Sequence, residues 1–249
     1  MKIAIVGIGS IGGTLARRLV TAGHDVWVAN SRGKDSVSAF AQEAGATPAD
    51  LKAAVANAET VILAIPLPAM AQLPNALLAA LPASVPVVDT SNYYPGLRDA
   101  RIAALDAGQS ESVWVSEQLG RPVIKAFNNI LAYSLEHLGK PKGSTGRLGV
   151  AVAGDDADQK HAVMTLVDEV GFEPVDSGAL QDSWRQQPCT PAYCCDYTAD
   201  EMRPALAAAV EGVAARKREE FIERVTELFA KQPSHADVVA FNRSFNTVN

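Results

Sequence analysis

The chain has 249 residues, hydrophobic residues make up 48% of it, and its formal net charge is −6. These proportions are ordinary for a globular protein, and no apolar run reaches the ~18 residues that a membrane-spanning helix needs. Binding to nucleic acid requires a concentrated positive face, and the net negative charge of this chain opposes it, so we expect no nucleic-acid partner. Since no apolar run is long enough to cross a bilayer, we also expect no membrane partner.

Short β-branched runs alternate with helical patterns over the first 178 residues, which predicts repeated β-α units. The first strand is predicted at residues 2–6 and its helix at 11–22, and a second pair follows at 25–29 and 36–44. Further strands are predicted, in chain order, at residues 60–65, 85–88, 123–126, 148–153 and 173–175, with a helix at 156–170 before the last. The sequence therefore predicts a Rossmann-type α/β fold, doubly wound around a mostly parallel sheet.

The pattern changes after Gly178. Residues 181–197 have no clean period and contain two prolines, which indicates an irregular segment with some helix. Residues 199–231 carry apolar side chains on nearly one face, so we expect a long amphipathic helix or a helical pair there. We predict a dinucleotide-binding domain at 1–178 and a helical or irregular extension at 179–249, which completes an acceptor site or a dimer interface.

A glycine-rich turn follows the first strand. Gly7, Gly9 and Gly12 match the pattern G-x-G-x-x-G between a predicted strand and a predicted helix. In such turns the first glycine permits a tight bend, the second leaves room for a pyrophosphate, and the third allows close packing of helix and strand. The sequence predicts a dinucleotide site, and the alternative is a purely structural turn.

The end of the second predicted strand indicates which dinucleotide is bound. NAD enzymes place an acidic residue there, whereas this chain has Asn30, followed by Ser31 and Arg32. An amide does not repel the 2′-phosphate of NADP, and Arg32 can bind that phosphate with charge-assisted hydrogen bonds, with Lys34 adding to the positive field. With no carboxylate expected to compete, we predict NADP(H) as the cofactor.

Polar residues follow two later strands, at the edge where parallel sheets bind ligands. Ser91 and Asn92 come after the strand at 85–88, and Asn128 and Asn129 come after the strand at 123–126. An apolar elbow, Pro66-Leu67-Pro68, follows the strand at 60–65 and suits contact with the cofactor. Each stretch taken singly is also ordinary turn chemistry, but together they outline a pocket.

Several motifs occur in an order that resembles a known family. These are GIGSIGG, NSRG, AIPLPA, DTSNYYP and VIKAFNN, and the chain resembles the NADP-dependent reductases of the deazaflavin coenzyme F-420 over residues 1–185. It is also similar to the NADPH-binding domain of metalloreductases that pass hydride to a flavin. Asn129 departs from the family pattern, which has a threonine at this position.

The resemblance implies hydride transfer between the nicotinamide ring and a stacked deazaflavin or flavin, in a homodimer. It implies a phosphate loop of Gly7, Gly9, Ser10, Ile11 and Gly12, and a 2′-phosphate site at Ser31 and Arg32. It also implies that the nicotinamide is bordered by Ile65, Pro66, Ala126 and Asn128.

The acceptor site is less defined by the sequence. Trp184 and Arg185 offer a stacking surface and a cation beyond the predicted sheet, and the amides Gln186 and Gln187 follow them, so we interpret this stretch as the acceptor contacts. No catalytic dyad is evident, which suits a heterocyclic acceptor that can take up charge itself. The alternatives are a reductase of small carbonyls or imines, which needs a placed acid, and an NADPH-binding module without turnover.

The remaining titratable residues give weaker signals. Cys189, Cys194 and Cys195 are too few for a disulfide framework and poorly spaced for zinc, so we expect no metal and a cytoplasmic location. The four histidines have no catalytic context. A basic loop at residues 140–147 is most simply solvated.

Overall fold

A computed structural model describes residues 1–74 and 76–247 of the chain. Its strands are β1 (Lys2–Val6), β2 (Asp25–Ala29), β3 (Thr47–Pro48), β4 (Thr60–Leu63), β5 (Val87–Asp89), β6 (Ile124–Lys125), β7 (Gly149–Val152) and β8 (Glu173–Asp176). The first six of these form a parallel sheet in the order β3-β2-β1-β4-β5-β6. This is the strand order of doubly wound dinucleotide-binding proteins, so the predicted Rossmann-type α/β fold is confirmed.

The helices alternate with these strands and continue beyond them. They are α1 (Ser10–Thr21), α2 (Asp35–Ala44), α3 (Leu51–Val55), α4 (Ala76–Ala79), α5 (Ala103–Asp106), α6 (Glu111–Leu119), α7 (Ala132–His137), α8 (Ala157–Glu169), α9 (Ala199–Ala208), α10 (Val213–Phe229) and α11 (His235–Phe245). Two 3-10 helices lie at Leu67–Gln72 and Leu180–Gln186. In the part of the chain that is described, no helix combines the length and the apolar character that crossing a membrane demands.

The main sheet is buried on both faces. Ile3 and Ile5 of β1 pack on one face with Leu15 of α1, whereas Ala4 and Val6 pack on the other. The alternation follows from the two-residue period of a strand. The first face is covered by α1, α2 and α8, and the second by the segments from α3 to α6. The layers fix the carboxyl ends of β1, β4, β5 and β6 along a single edge.

The last two strands differ from the predicted continuation of the parallel series. β7 and β8 pair with each other in a separate small sheet, parallel to one another. An antiparallel bridge between Lys125 and Ala153 joins this small sheet to β6. The sequence shows that residues 149–152 are apolar enough for a buried strand, but strand direction is decided by the path of the chain between residues 126 and 148.

The C-terminal region folds back onto the sheet domain. Residues 199–229 form two helices, α9 and α10, and α11 follows them. Of the two predicted alternatives, a single long helix or a helical pair, the structure has the helical pair. Phe221 of α10 and Phe245 of α11 pack against each other beside Tyr94, with 5.6 Å between the two phenylalanine ring centroids. These helices therefore cover the segment that follows β5. The predicted division at residue 178 remains a prediction.

Candidate functional site

The glycine turn is packed as tightly as its spacing predicts. Gly7 has a φ of +99°, and a Cβ atom there would lie 2.3 Å from the carbonyl oxygen of Ala64. A Cβ on Gly12 would lie 2.0 Å from the carbonyl oxygen of Gly7. Both distances are far inside van der Waals contact, so these two glycines hold α1 against β1 and β4.

Gly9 has the opposite surroundings. No atom lies within 4 Å of where its Cβ would be, and no side chain caps the N-terminus of α1, which begins at Ser10. An uncapped helix start carries unpaired backbone N–H groups and partial positive charge, which suits an anion. The open cradle at Gly9 thus fits the pyrophosphate of a dinucleotide.

The turn after β2 is built by the amide of Asn30. Its Oδ1 atom accepts hydrogen bonds from the Arg32 backbone N–H at 2.8 Å and from the Ser36 hydroxyl at 2.8 Å. Ser31, Arg32 and Lys34 are exposed on this turn. Among residues 1–74 and 76–247, no hydrogen bond or ion pair engages the Arg32 guanidinium. The structure thus gives Asn30 a turn-forming role and leaves Arg32 available to an anion.

An acidic group stands nearer to this turn than the sequence indicated. The Asp50 carboxylate accepts a hydrogen bond from the Lys34 backbone N–H at 3.0 Å and is exposed at the start of α3. The sequence predicted that no carboxylate competes here, and that expectation is wrong. Asp50 is 20 positions from Asn30 and arrives through β3, which pairs with β2.

A pocket of about 340 Å³ opens at the carboxyl edge of the sheet. Residues that the sequence predicted for the site and that line the pocket are Gly9, Ser10, Ile11, Ile65, Pro66, Ser91, Asn92 and Asn128. Tyr94 and Phe127, which belong to the stretches 89–94 and 127–129 that follow the predicted strands at 85–88 and 123–126, also line it. Sequence reasoning missed other lining residues, among them Arg98, Tyr193 and Cys194. The glycine turn, the apolar elbow and the polar segments therefore share one cavity.

Buried amides form one wall of the pocket. Asn128 donates from Nδ2 to the Asn92 Oδ1 atom at 3.0 Å and to the Gln186 backbone oxygen at 2.8 Å. Gln186 returns a hydrogen bond from Nε2 to the Asn128 Oδ1 atom at 2.9 Å. Since every amide is held by another, the wall is rigid and its polar groups are satisfied.

Apart from residues of the two turns described above, four predicted site residues lie outside the pocket lining. Ala126 is fully buried beneath it. Asn129 points into the C-terminal region, where its Oδ1 atom accepts from the Ala151 backbone N–H at 3.3 Å. The Arg185 guanidinium lies over the Trp184 ring, 4.4 Å from its centroid, and Arg185 donates to the Leu206 backbone oxygen at 3.4 Å. Asn129 therefore contacts β7 and Arg185 contacts α9. The role of Asn129, Trp184 and Arg185 as acceptor contacts stays a prediction.

A buried ion pair supports the segment that carries Ser91 and Asn92. Lys125 and Asp89 are both fully buried, with 2.9 Å between Nζ and Oδ2, and Lys125 also donates to the Ser91 backbone oxygen at 2.6 Å. Burial alone would raise the pKa of Asp89, but Lys125 and hydrogen bonds from Ser91 and Ser112 bring it below its ordinary value. Lys125 therefore has a structural role, because it joins Asp89 of β5 to the backbone at Ser91.

A second buried carboxylate ties the C-terminal helices to this segment. Glu111 is fully buried; its Oε2 atom accepts from the Tyr93 backbone N–H at 3.2 Å, and its Oε1 atom lies 3.5 Å from the Arg218 guanidinium of α10. Burial raises the pKa of Glu111 to about 7, against the lowering effect of Lys125 and Arg218. No sequence signal pointed to this pair, because its members are more than a hundred positions apart.

The far wall of the pocket comes from the cysteine segment, residues 189–196. The hydroxyl of Tyr193 is hydrogen-bonded to that of Tyr94. Side chains of α11 hold the segment, as Asn242 donates to the Cys194 backbone oxygen at 2.9 Å and Asn246 to the Tyr193 backbone oxygen at 2.9 Å. The three thiols are buried and free, and burial raises the pKa of the Cys194 thiol well above its ordinary range. Thiols in this state are poor nucleophiles and poor metal ligands.

Two residues of the pocket lining adopt the left-handed backbone conformation. Phe127, directly after β6, has a φ of +60°, and Cys194 has a φ of +53°. A non-glycine residue in this conformation costs of order 1 kcal/mol or more, so the surrounding contacts must hold it there. Both residues line the pocket beside Asn128 and Tyr193.

The basic loop that precedes β7 is occupied by its own chain. Arg147 is buried and pairs with Asp168 at 2.8 Å and with Glu173 at 2.7 Å, while Lys142 pairs with Asp168 at 2.8 Å. Lys140 donates to backbone oxygens of the same loop. The cations therefore have local partners.

Comparison with known proteins finds a family model and several similar proteins. Residues 2–93 match the model of the family described as NADP oxidoreductase, coenzyme F420-dependent. The Escherichia coli K12 protein YjhV is 44% identical over 112 residues, which cover 45% of this chain and 81% of YjhV. The rat metalloreductase STEAP3 is 30% identical over 180 residues, 72% of this chain, but the chain spans only 34% of its length.

A solved structure resembles this fold closely. It is the hypothetical protein SMa0349 from Sinorhizobium meliloti, with a TM-score of 0.63 and 32% sequence identity. The match covers 75% of this chain and 89% of that protein. The resemblance of the motifs to deazaflavin-dependent reductases and to metalloreductases is thereby confirmed.

Proposed function

The chain belongs to the family of coenzyme F420-dependent NADP oxidoreductases, and on that premise we propose that it exchanges hydride between NADP(H) and a second flat ring of deazaflavin or flavin type. The observation that carries the proposal is the shared cavity. The open cradle at Gly9 leads into the same pocket as Ile65, Pro66 and Asn128. A dinucleotide whose pyrophosphate lies at the cradle has its nicotinamide half within that pocket.

The residues of the chain have separable tasks. The N-terminus of α1 binds the pyrophosphate, and Ser31, Arg32 and Lys34 bind the 2′-phosphate. Ile65 and Pro66 supply apolar contact beside the nicotinamide, and the buried amide of Asn128 orients it. When bound, NADP(H) supplies or accepts hydride at C4 of its nicotinamide ring.

The walls of the pocket suit transfer between stacked rings. Rings that exchange hydride must lie about 3–3.5 Å apart with water excluded. The wall built from residues 189–196 is buried and clamped by α11, which keeps solvent away from that side. We include residues 179–249 in the acceptor site for this reason.

Cofactor choice tests the first half of the proposal. Replacing Arg32 by Ala removes charge-assisted hydrogen bonds worth about 1.5–3 kcal/mol, so NADPH affinity should fall roughly 10- to 100-fold while NADH affinity changes less than about 3-fold. Fluorescence titration with both cofactors measures this. Arg203→Ala, which removes an exposed arginine of α9, is the matched control. Equal affinity of the unaltered protein for NADH and NADPH would contradict the assignment.

Acceptor choice tests the second half. Oxidation of NADPH by deazaflavin or by FMN supports the proposal. A protein that binds NADPH but does not oxidise it with any of the tested acceptors is a binding module. A second candidate, a reductase of small carbonyls or imines, is favoured by the hydroxyl pair of Tyr94 and Tyr193 in the pocket. Oxidation by carbonyl compounds alone identifies that activity.

Assembly and location are separate proposals. The homodimer that the resemblance implies is tested by light scattering at micromolar concentration, where a monomer mass would contradict it. The cytoplasmic location is tested by fractionation of the host cell.

A further inference from the structure

The pocket contains two neighbouring tyrosines, and one of their two hydroxyl protons has no acceptor between them. The Tyr94 and Tyr193 hydroxyls are bonded to each other. The two hydroxyls carry one proton each, but a single contact joins them. Because each hydroxyl donates one hydrogen, one of the two protons has no acceptor within the pair.

The other hydroxyl and ammonium groups beside the acceptor end of the pocket already donate hydrogen bonds to other atoms of the chain. Ser91 donates its hydroxyl proton to Asp89 at 2.6 Å, and Thr90 donates to the Leu63 backbone oxygen at 3.2 Å. Lys125 is fully buried behind the lining and bonds to Asp89 and to the Ser91 backbone oxygen. Ser10 lies at the opposite end, at the glycine turn. The tyrosine pair is therefore the available proton source.

The surroundings of the pair place two protonated phenols beside a cation. Burial raises the pKa of both phenols, so they are protonated at neutral pH, and proton donation requires that the resulting phenolate be stabilised. The Arg98 guanidinium lies 5.1 Å from the centroid of the Tyr94 ring and is held there by Asp99. A cation at that distance, and a hydrogen bond from the neighbouring hydroxyl, both stabilise the phenolate that remains after a proton is given up.

We infer that Tyr94 and Tyr193 together form the proton donor of this pocket, and that they serve an acceptor with a carbonyl oxygen or an imine nitrogen. The inference rests on the proposed function, of which it selects the second candidate, because it requires NADPH to be the hydride source. It adds a role that sequence reasoning did not assign, since neither tyrosine was singled out from the sequence.

The step balances as follows for a carbonyl. Hydride forms a bond to the carbonyl carbon, and the π electron pair moves to the oxygen. That oxygen takes the proton of one tyrosine hydroxyl, which leaves a phenolate hydrogen-bonded to the other hydroxyl. A proton from solvent restores the pair, so NADPH, one proton and the carbonyl give NADP⁺ and the alcohol.

Two probe acceptors separate this role from a structural one. Reduction of 4-nitrobenzaldehyde places charge on oxygen and needs an acid, whereas reduced FMN is stable as an anion near neutral pH and does not. In Tyr94→Phe and in Tyr193→Phe we expect 4-nitrobenzaldehyde reduction to fall about 100-fold or more, because general acids contribute 10²–10⁴-fold. FMN reduction and NADPH affinity should change less than about 3-fold, and the double variant should match the worse single variant.

A binding measurement gives a readout that is independent of turnover. 4-Nitrobenzamide has the shape of the aldehyde but is not reduced, and its carbonyl accepts the same hydrogen bond. Its affinity for the NADP⁺ complex, measured by nuclear magnetic resonance, should fall at least about 5-fold in both variants, as expected for a lost hydrogen bond. Tyr133→Phe, on an exposed tyrosine of α7, is the matched control for removal of a phenol and should change none of these values.

The outcomes are distinct. Equal rates of aldehyde reduction in the variants and the unaltered protein would overturn the proton-donor role and leave the proposed function intact. Equal losses with aldehyde and FMN would also overturn it, because they indicate a role in cofactor or ring placement. A protein that binds NADPH but reduces neither probe contradicts the proposed function itself. If 4-nitrobenzamide affinity is then also unchanged in the variants, the hydrogen-bonding role of Tyr94 and Tyr193 is overturned as well.

Discussion

The two ends of the proposed site are built in opposite ways. The cofactor end consists of two contiguous segments, the glycine turn at residues 7–12, which borders the pocket, and the turn at residues 30–36. Gly9, Ser10, Ser31, Arg32 and Lys34 are exposed there. The acceptor end joins residues that are far apart in sequence, among them Tyr94, Asn128 and Tyr193, and it is largely buried. Backbone geometry thus determines the first end, whereas long-range side-chain packing determines the second.

Substitutions at the two ends should differ in their effects on binding and on stability. At the cofactor end the exposed groups have few partners within the chain, so substitutions there should alter binding more than stability. At the acceptor end each polar group is bonded to a distant segment, so substitutions should alter stability first. The predictions below test this contrast, beginning with the largest expected effect.

Substitutions of two glycines in the same turn should have different effects, one on the stability of the fold and the other on NADPH binding. Gly12→Ala places a Cβ 2.0 Å from the Gly7 carbonyl oxygen and should destabilise the fold by about 3 kcal/mol or more, because a backbone clash cannot relax cheaply. Gly9→Ala meets no atom within 4 Å and should leave the melting temperature nearly unchanged, yet weaken NADPH binding at least about 10-fold. Calorimetry and fluorescence titration of both variants measure this. Normal NADPH affinity in Gly9→Ala would show that the cradle does not hold the pyrophosphate.

Glu111 tests the acceptor end through its pH dependence. Its pKa is about 7 in the fold, against an ordinary value of 4.5, so the unfolded chain ionises this group at lower pH. The ionised carboxylate therefore lowers the free energy of unfolding increasingly between about pH 4.5 and 7, and by on the order of 3 kcal/mol above pH 7. In Glu111→Gln this loss should be absent. Urea unfolding at pH 5 and pH 8 checks the result, and the same pH dependence in the variant and the unaltered protein would contradict it.

Asp50 sharpens the contrast at the cofactor end. Its exposed carboxylate adjoins the turn that carries Arg32, so Asp50→Asn should tighten NADPH binding by about 2- to 5-fold, less than 1 kcal/mol, through loss of a screened repulsion. The gain should shrink as salt is raised and should be absent with NADH. Glu43→Gln, on α2, is a matched control for removal of a surface carboxylate. A gain of equal size with NADH would locate the repulsion away from the 2′-phosphate.

The strengths and failures of sequence reasoning follow the same division. The strand β1, the turn and α1 were predictable because a G-x-G-x-x-G turn has its meaning only between a strand and a helix. Asn30 was identified correctly as a special position, although its amide shapes the turn. Asp50 was missed because β3 is two residues long and carries no strand pattern.

The acceptor end shows where such reasoning stops. Trp184 and Arg185 looked like a stacking platform, but the Arg185 guanidinium lies over the Trp184 ring and donates to the Leu206 backbone oxygen of α9. Asn129 was expected beside Asn128 in the pocket, yet its side chain bonds to the backbone of Ala151 and Ala192. Gln186 belonged to the predicted acceptor stretch at residues 184–187, and it bonds to Asn128, 58 positions away. Tyr193 had no motif at all, and its partner Tyr94 lies 99 positions away.

The sequence by itself determined the fold class, the glycine cradle and the absence of an acid at position 30, because hydrophobic period and backbone sterics act over a few neighbouring residues. Only the tertiary structure decided which side chains meet at the acceptor end and where Asp50 lies. Those contacts depend on the direction of β7 and on the return of α10 and α11 to the sheet, and such long-range packing is set by the whole chain at once.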